Sequence, residues 1–123
     1  MTERISEAEL LVMEALWSAG TPLTATEVAQ RIAAGRDWSD RTVKTMLARL
    51  LAKGVLAHEE DGRRYLYRPI VARDRYVAGE SRRLVDRLFG GRAAPMVAHL
   101  AQGDGLSDDD IAELEALLQE LRK

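Results

Sequence analysis

The 123-residue chain contains no cysteine. That excludes a disulfide framework, a thiolate metal site and a cysteine nucleophile. Its two histidines, His58 and His99, leave almost nothing for an imidazole metal centre or a catalytic triad. Long apolar runs are also missing. The longest obvious one, Leu10-Leu11-Val12-Met13, falls far short of the roughly 18 residues of a membrane span. The start Met1-Thr2-Glu3-Arg4 has neither the basic opening nor the apolar stretch of a secretory leader. No glycine-rich loop is present that would cradle a phosphate. What remains is 46% hydrophobic and 31% charged, the composition of a folded soluble chain. These absences favour a cytoplasmic protein that is not an enzyme and needs no cofactor.

The net charge of -2 conceals three blocks of different sign. Residues 1–30 carry five acids and one base, residues 41–92 thirteen bases and six acids, and residues 104–123 seven acids and two bases. A basic middle between acidic ends is the electrostatic footprint of a polyanionic partner, because phosphate contacts need local clusters of Lys and Arg. On charge alone, a well-solvated basic face is the alternative.

Helix starts are clearly marked. Ser6-Glu7-Ala8-Glu9 is a capping box flanked by the staple pair Ile5 and Leu10, and Leu10, Met13, Leu16 and Trp17 recur at helical spacing to about Ser18. Thr24-Ala25-Thr26-Glu27 repeats the signature with Leu23 and Val28, opening a second helix that stops at Gly35. A third helix starts at Ser39, buries Val43, Leu47, Leu50 and Leu51, and ends at Gly54. Two strand-like runs follow, Val55 to Glu60 and Arg63 to Arg68, joined by Asp61-Gly62; in the favoured turn for that pair both central residues take positive φ. Tyr65 and Tyr67 are expected in the core, and Trp17 and Trp38 in the core or at a domain edge. The fold class is mainly α with a small β-hairpin: a winged helix-turn-helix domain over residues 1–70 and a helical dimerisation domain over residues 71–123.

The third helix carries the chemistry. Opposite its buried stripe lie Arg41, Thr42, Thr45, Ala48, Arg49 and Ala52, with Lys44 and Lys53 at the margins. After Asp40 this face has no acid, and its centre is small. Short side chains allow close approach to base edges in a major groove, threonine can bond a base or touch a thymine methyl, and Arg or Lys reaches guanine or phosphate. Arg63, Arg64 and Arg68 lie at or beyond the hairpin tip, in reach of the backbone or minor groove. His58 beside Glu59 and Glu60 reads as a solvated run rather than a metal site, and Asp108-Asp109-Asp110 as a helix start rather than a calcium loop, since the spaced ligands and closing glutamate are absent.

The tail reads as a long helix over 71–89, a break at Gly90-Gly91, a short helix over 95–101 and a last helix capped by Ser107. Its stripes, Val77, Leu84 and Leu88, then Ile111, Leu114, Leu118 and Leu121, are too narrow to enclose a core, so a homodimer is expected. The resulting function is sequence-specific DNA binding as a homodimer. A winged-helix adaptor that binds protein without reading DNA is the alternative.

The chain resembles the penicillinase-repressor family of bacterial transcriptional regulators, the BlaI/MecI/CopY type. The likeness runs from Ile5-Ser6-Glu7-Ala8-Glu9, through Arg41-Thr42-Val43-Lys44-Thr45-Met46-Leu47-Ala48-Arg49-Leu50 with Lys53-Gly54, to Arg64-Tyr65-Leu66-Tyr67, Leu88-Phe89-Gly90-Gly91 and Leu106-Ser107. The resemblance implies a transcriptional repressor acting as a homodimer on palindromic operators, in which Arg41, Thr42, Lys44, Thr45 and Arg49 face double-stranded operator DNA, with Arg63 and Arg64 on its backbone. It also implies control by a protease or sensor. Members that control β-lactamase are cleaved at an Asn-Phe pair, where this chain has His99-Leu100. The cysteine pairs of copper-responsive members have no counterpart, which excludes release by copper through that route.

Overall fold

The computed structural model describes residues 4–32, 36 and 38–123. In chain order it forms α1 (Glu7–Ala19), α2 (Ala25–Ile32), α3 (Asp40–Ala52), β1 (Leu56–Asp61), β2 (Arg64–Pro69), α4 (Arg73–Phe89), α5 (Ala93–Ala101) and α6 (Asp108–Leu121). The expected class, mainly helical with one hairpin, is what is found. The chain divides into two compact units, Met1–Tyr76 and Val77–Lys123. Among the described residues no helix is long and apolar enough to cross a membrane.

The caps form as the sequence dictates. The Glu9 amide donates to Ser6 Oγ at 3.1 Å and the Ser6 amide to Glu9 Oε1 at 2.8 Å. Thr24 and Glu27 repeat the pair at 3.2 and 2.8 Å, and the two Thr24 bonds, amide first, hold the Glu27 carboxyl below its ordinary range. Ser39 caps α3, and Ser107 with Asp110 closes the box of α6. The expected stop of the second helix at Gly35 lies outside the described residues.

The first unit packs α1, α2 and α3 around Val12, Met13, Leu16, Val28, Val43, Leu47 and Leu50, all at most 1% exposed. The core differs from the expected stripes at two places: Leu10 is only half-buried, while Val12, two residues on, is fully enclosed, and Leu51, expected inside α3, is half-buried at its end. Met46, at 9% exposure, joins the inner face of α3. Trp17 and Trp38 pack against this core as expected. Trp17 also donates its indole N–H to the Val71 carbonyl at 2.9 Å, so the segment after the hairpin is tied to α1.

The hairpin forms one residue out of the expected phase. Asp61 pairs with Arg64, so the two loop residues are Gly62 and Arg63 rather than Asp61 and Gly62. Positive φ falls on Gly62 alone, at 68°, the pattern of a turn with glycine at its first central position. Leu23 extends the pair into a three-strand edge, exchanging hydrogen bonds with Tyr67 at 3.0 and 2.7 Å.

One polar residue lies inside the apolar face of α1. Glu9 is 1% exposed, and Lys53 Nζ, just past the end of α3, donates to its Oε1 at 2.6 Å and to the Arg4 carbonyl at 2.9 Å. Glu9 Oε2 has no hydrogen-bond partner among the described residues. Burial works to raise the Glu9 pKa, but the Lys53 hydrogen bond, those from Ser6 and the Lys53 charge outweigh it and hold the carboxyl below its ordinary value.

In the second unit Pro95 sits in the first turn of α5, where a missing N–H costs nothing. Gly105 joins α5 to α6 so tightly that a Cβ there would collide with the Leu100 carbonyl. Among the described residues of this unit, Val85 alone is buried.

A lowered folded-state pKa stabilises the native chain above about pH 4.5, the ordinary carboxyl value, and that contribution is lost as pH falls through the depressed value. Lys53→Met strands the buried carboxylate and should cost about 3 kcal/mol at neutral pH. The gap between Lys53→Met and the native chain in urea denaturation should then narrow on acidification as Glu9 protonates. A gap independent of pH would refute a stabilising charge at Glu9.

Candidate nucleic-acid interface

The orientation of α3 follows from its inner face. With Val43, Leu47 and Leu50 fully buried and Met46 nearly so, Arg41, Lys44, Thr45, Ala48, Arg49 and Ala52 are left exposed on the other side. Thr42 is half-buried, because it belongs to the cap: its amide donates to Ser39 Oγ at 3.2 Å and the two hydroxyls lie 3.1 Å apart. The Thr45 hydroxyl donates to the Arg41 carbonyl at 2.9 Å. Its proton is thereby committed, and it offers its methyl and its acceptor lone pairs outward. Lys53, a marginal member of this face in the sequence, is held by Glu9 and Arg4 instead. Among the described residues Arg41, Lys44 and Arg49 form no ion pair with a protein carboxylate, so their charge is available to a partner.

The hairpin presents two arginines in different states. Arg63 is exposed in the loop itself. Arg64 is forked onto Asp61 Oδ2 through Nε at 3.2 Å and a terminal nitrogen at 3.0 Å, which neutralises much of its charge locally. Both reach a groove of about 760 Å³ between α2, α3 and the hairpin, lined also by Thr26, Gln30, Lys44 and Tyr65. Lys44 is therefore brought together with Arg63 and Arg64, while Arg41, Thr42, Thr45 and Arg49 lie on α3 outside that groove.

Tyr67 packs on the core as expected. Tyr65 does not: it is 42% exposed, with His58 stacked on its ring at 4.5 Å between centroids. The cause is the register, which sets His58 opposite Tyr67 and Glu60 opposite Tyr65, so Tyr65 sits toward the hairpin tip, beyond the reach of the core. Sequence reasoning also passed over Thr26 and Gln30. They stand one helical turn apart on the exposed side of α2, a polar pair facing away from Val28 that the wheel of α2 already displays.

The residues expected at a seam between two copies occupy the second unit. Val77, Leu84, Leu88, Ile111, Leu118 and Leu121 are exposed to between 37% and 72%, and Leu114 is half-buried.

The family model described as penicillinase repressor matches residues 5–120. The chain is 34% identical over 117 residues to the penicillinase repressor of Bacillus licheniformis, across 95% of this chain and 91% of that one. It is 36% identical over 123 residues to the transcriptional regulator BlaI of Mycobacterium tuberculosis, covering 92% and 86% of the two chains. The solved monomeric form of Bacillus licheniformis BlaI in complex with the blaP half-operator is similar with a TM-score of 0.52 and 36% identity, over 62% of this chain and 92% of that one. The order of three helices and a hairpin, the acid-free face of α3 and a match along nearly the whole sequence agree, and the chain belongs to the penicillinase repressor family.

Proposed function

We propose that this chain is a sequence-specific DNA-binding transcriptional repressor that works as a homodimer on palindromic operators. The observation that carries the reading is the outer face of α3, where three cations that form no ion pair among the described residues surround a centre of Thr45, Ala48 and Ala52. A B-form major groove is about 12 Å wide and admits one helix, provided that the side chains at its centre are short. Thr45 then reads base edges, and Arg41, Lys44 and Arg49 take guanine or phosphate, with Thr42 at the helix start. The Arg63 tip, with Arg64 beside it, lies on the backbone. The BlaI complex with a half-operator supports one copy per half-site, and a palindrome then recruits two copies related by a two-fold axis.

Residues 71–123 supply the link between copies. The exposed stripe of Val77, Leu84, Leu88, Ile111, Leu114, Leu118 and Leu121 supports this, since each leucine buried is worth roughly 1.5–3 kcal/mol. The role is binding in the cytoplasm rather than catalysis. Release falls to a partner, a protease or sensor that acts on some segment other than an Asn-Phe pair.

Duplexes selected from a random library should compete with bulk DNA, and log affinity should fall linearly with log salt. Thr45→Glu should abolish binding to the selected duplex with the circular dichroism unchanged. Arg63→Ala should weaken all sequences about equally and lower the salt slope by about one unit. Asp61→Asn, which frees Arg64, should raise that slope. Equal affinity for selected and bulk DNA would refute specific recognition. In sedimentation equilibrium the native chain should be a dimer and the double variant Leu114→Asp, Leu118→Asp a monomer with much weaker operator binding, having lost the linked second half-site. A native monomer at micromolar concentration would refute the dimer.

A further inference from the structure

A second concavity lies in the first unit and shares no residue with the α3–hairpin face. It is a cleft of about 830 Å³ between α1, the end of α2 and the start of α4. That volume falls in the range of about 300–1,000 Å³ typical of small-molecule sites. Its apolar wall includes Leu11, Trp17 and Ile32, all half-buried, and its border carries Arg31, Arg36 and Arg73, all exposed.

Two features give the cleft a chemical preference. The Trp17 ring is fixed: its N–H is bonded to the Val71 carbonyl at 2.9 Å and its ring lies 5.6 Å from that of Tyr76, so the aromatic border of the cleft is preset. The charge is unbalanced: three arginines meet a single lining carboxylate, Glu14, and Arg73 holds that one through a fork at 2.7 and 3.3 Å. Among the described residues neither Arg31 nor Arg36 is in an ion pair with a carboxylate. Arg31 also acts through space on the Glu27 carboxylate but forms no ion pair with it, so an apolar slot bordered by Trp17 and two exposed guanidinium groups complements a small aromatic carboxylate, with the ring against Trp17 and the carboxylate on the arginines.

We propose that this cleft is a binding site for a small aromatic carboxylate. The site stands on the geometry of the first unit and does not depend on how α3 meets DNA.

The test titrates the full chain with 2-naphthoate, and separately with its neutral match 2-naphthamide, following the indole N–H resonances of Trp17 and Trp38 and the heat of binding. Naphthoate should shift the Trp17 resonance, leave that of Trp38 in place and saturate with a dissociation constant at or below about 1 mM. The amide should bind about tenfold more weakly, because it forgoes the charge-assisted bonds. Arg31→Gln with Arg36→Gln should reduce naphthoate affinity about tenfold, whereas Glu14→Gln, which releases Arg73, should raise it. Arg87→Gln, an exposed arginine of α4 that lines neither cavity, should leave naphthoate affinity unchanged. Equal binding of acid and amide, a double variant that binds like the native chain, or equal losses in Arg87→Gln and the double variant would overturn the proposal. So would the absence of saturation. Because the readout is binding without DNA, these outcomes are separate from the success or failure of the repressor reading.

Discussion

A buried carboxylate has to be met where it lies, and Glu9 lies in the first turn of α1, between the core and the end of α3. Removing a charge from water costs several kcal/mol unless a counter-charge and hydrogen bonds compensate. Here Ser6 and Lys53 supply them, and Lys53 holds the Arg4 carbonyl as well. The pair joins the start of one helix to the end of another, so α3 cannot slide or rotate on α1 without breaking it. With Val43, Leu47 and Leu50 enclosed, the outer face of α3 is whatever that fixed rotation leaves over. A recognition surface that must meet base edges at hydrogen-bond distance needs such a support, because a small displacement of the helix axis loses the contact.

The same pair clarifies the charge distribution. The basic middle of the chain contains more cations than the proposed DNA face offers. Lys53 is consumed by Glu9, Arg64 by Asp61 and Arg73 by Glu14. What remains on α3 and the hairpin tip is a short row, Arg41, Lys44, Arg49 and Arg63, around a centre of small residues. A row of this size gives modest non-specific attraction, which suits a protein that has to leave random DNA for its operator. It also explains how a chain of slightly negative net charge can meet a polyanion.

Nearly all that is local was legible in the sequence. The capping boxes at Ser6 and Thr24, the cap at Ser39 and the inner stripe of α3 are patterns of three or four residues, and they form as written. The hairpin was legible in position but not in phase, since a loop of Gly62-Arg63 and one of Asp61-Gly62 differ by a single pairing step that the flanking residues do not decide. The Glu9–Lys53 pair was not legible, because its members are 44 positions apart and each had a satisfactory local role, one as a cap and the other as a basic margin. Tyr65 escaped for a related reason. Alternation along a strand tells which face a side chain takes, but how far the helices extend beneath that face depends on tertiary packing. For the second unit, the sequence and the fold carry the same information: apolar stripes on helices that bury almost nothing of their own.

The orientation of α3 supports every assignment made on its surface, and one measurement addresses it directly. The isotope-labelled full chain would be titrated with the selected half-site duplex while backbone amide resonances are followed. Thr45, Ala48, Arg49 and Arg63 should shift most, the core-facing Val43 and Leu47 much less, and the α6 residues Ile111 to Leu121 hardly at all. Shifts concentrated in α1 or α6, with Thr45 and Arg49 silent, would contradict it.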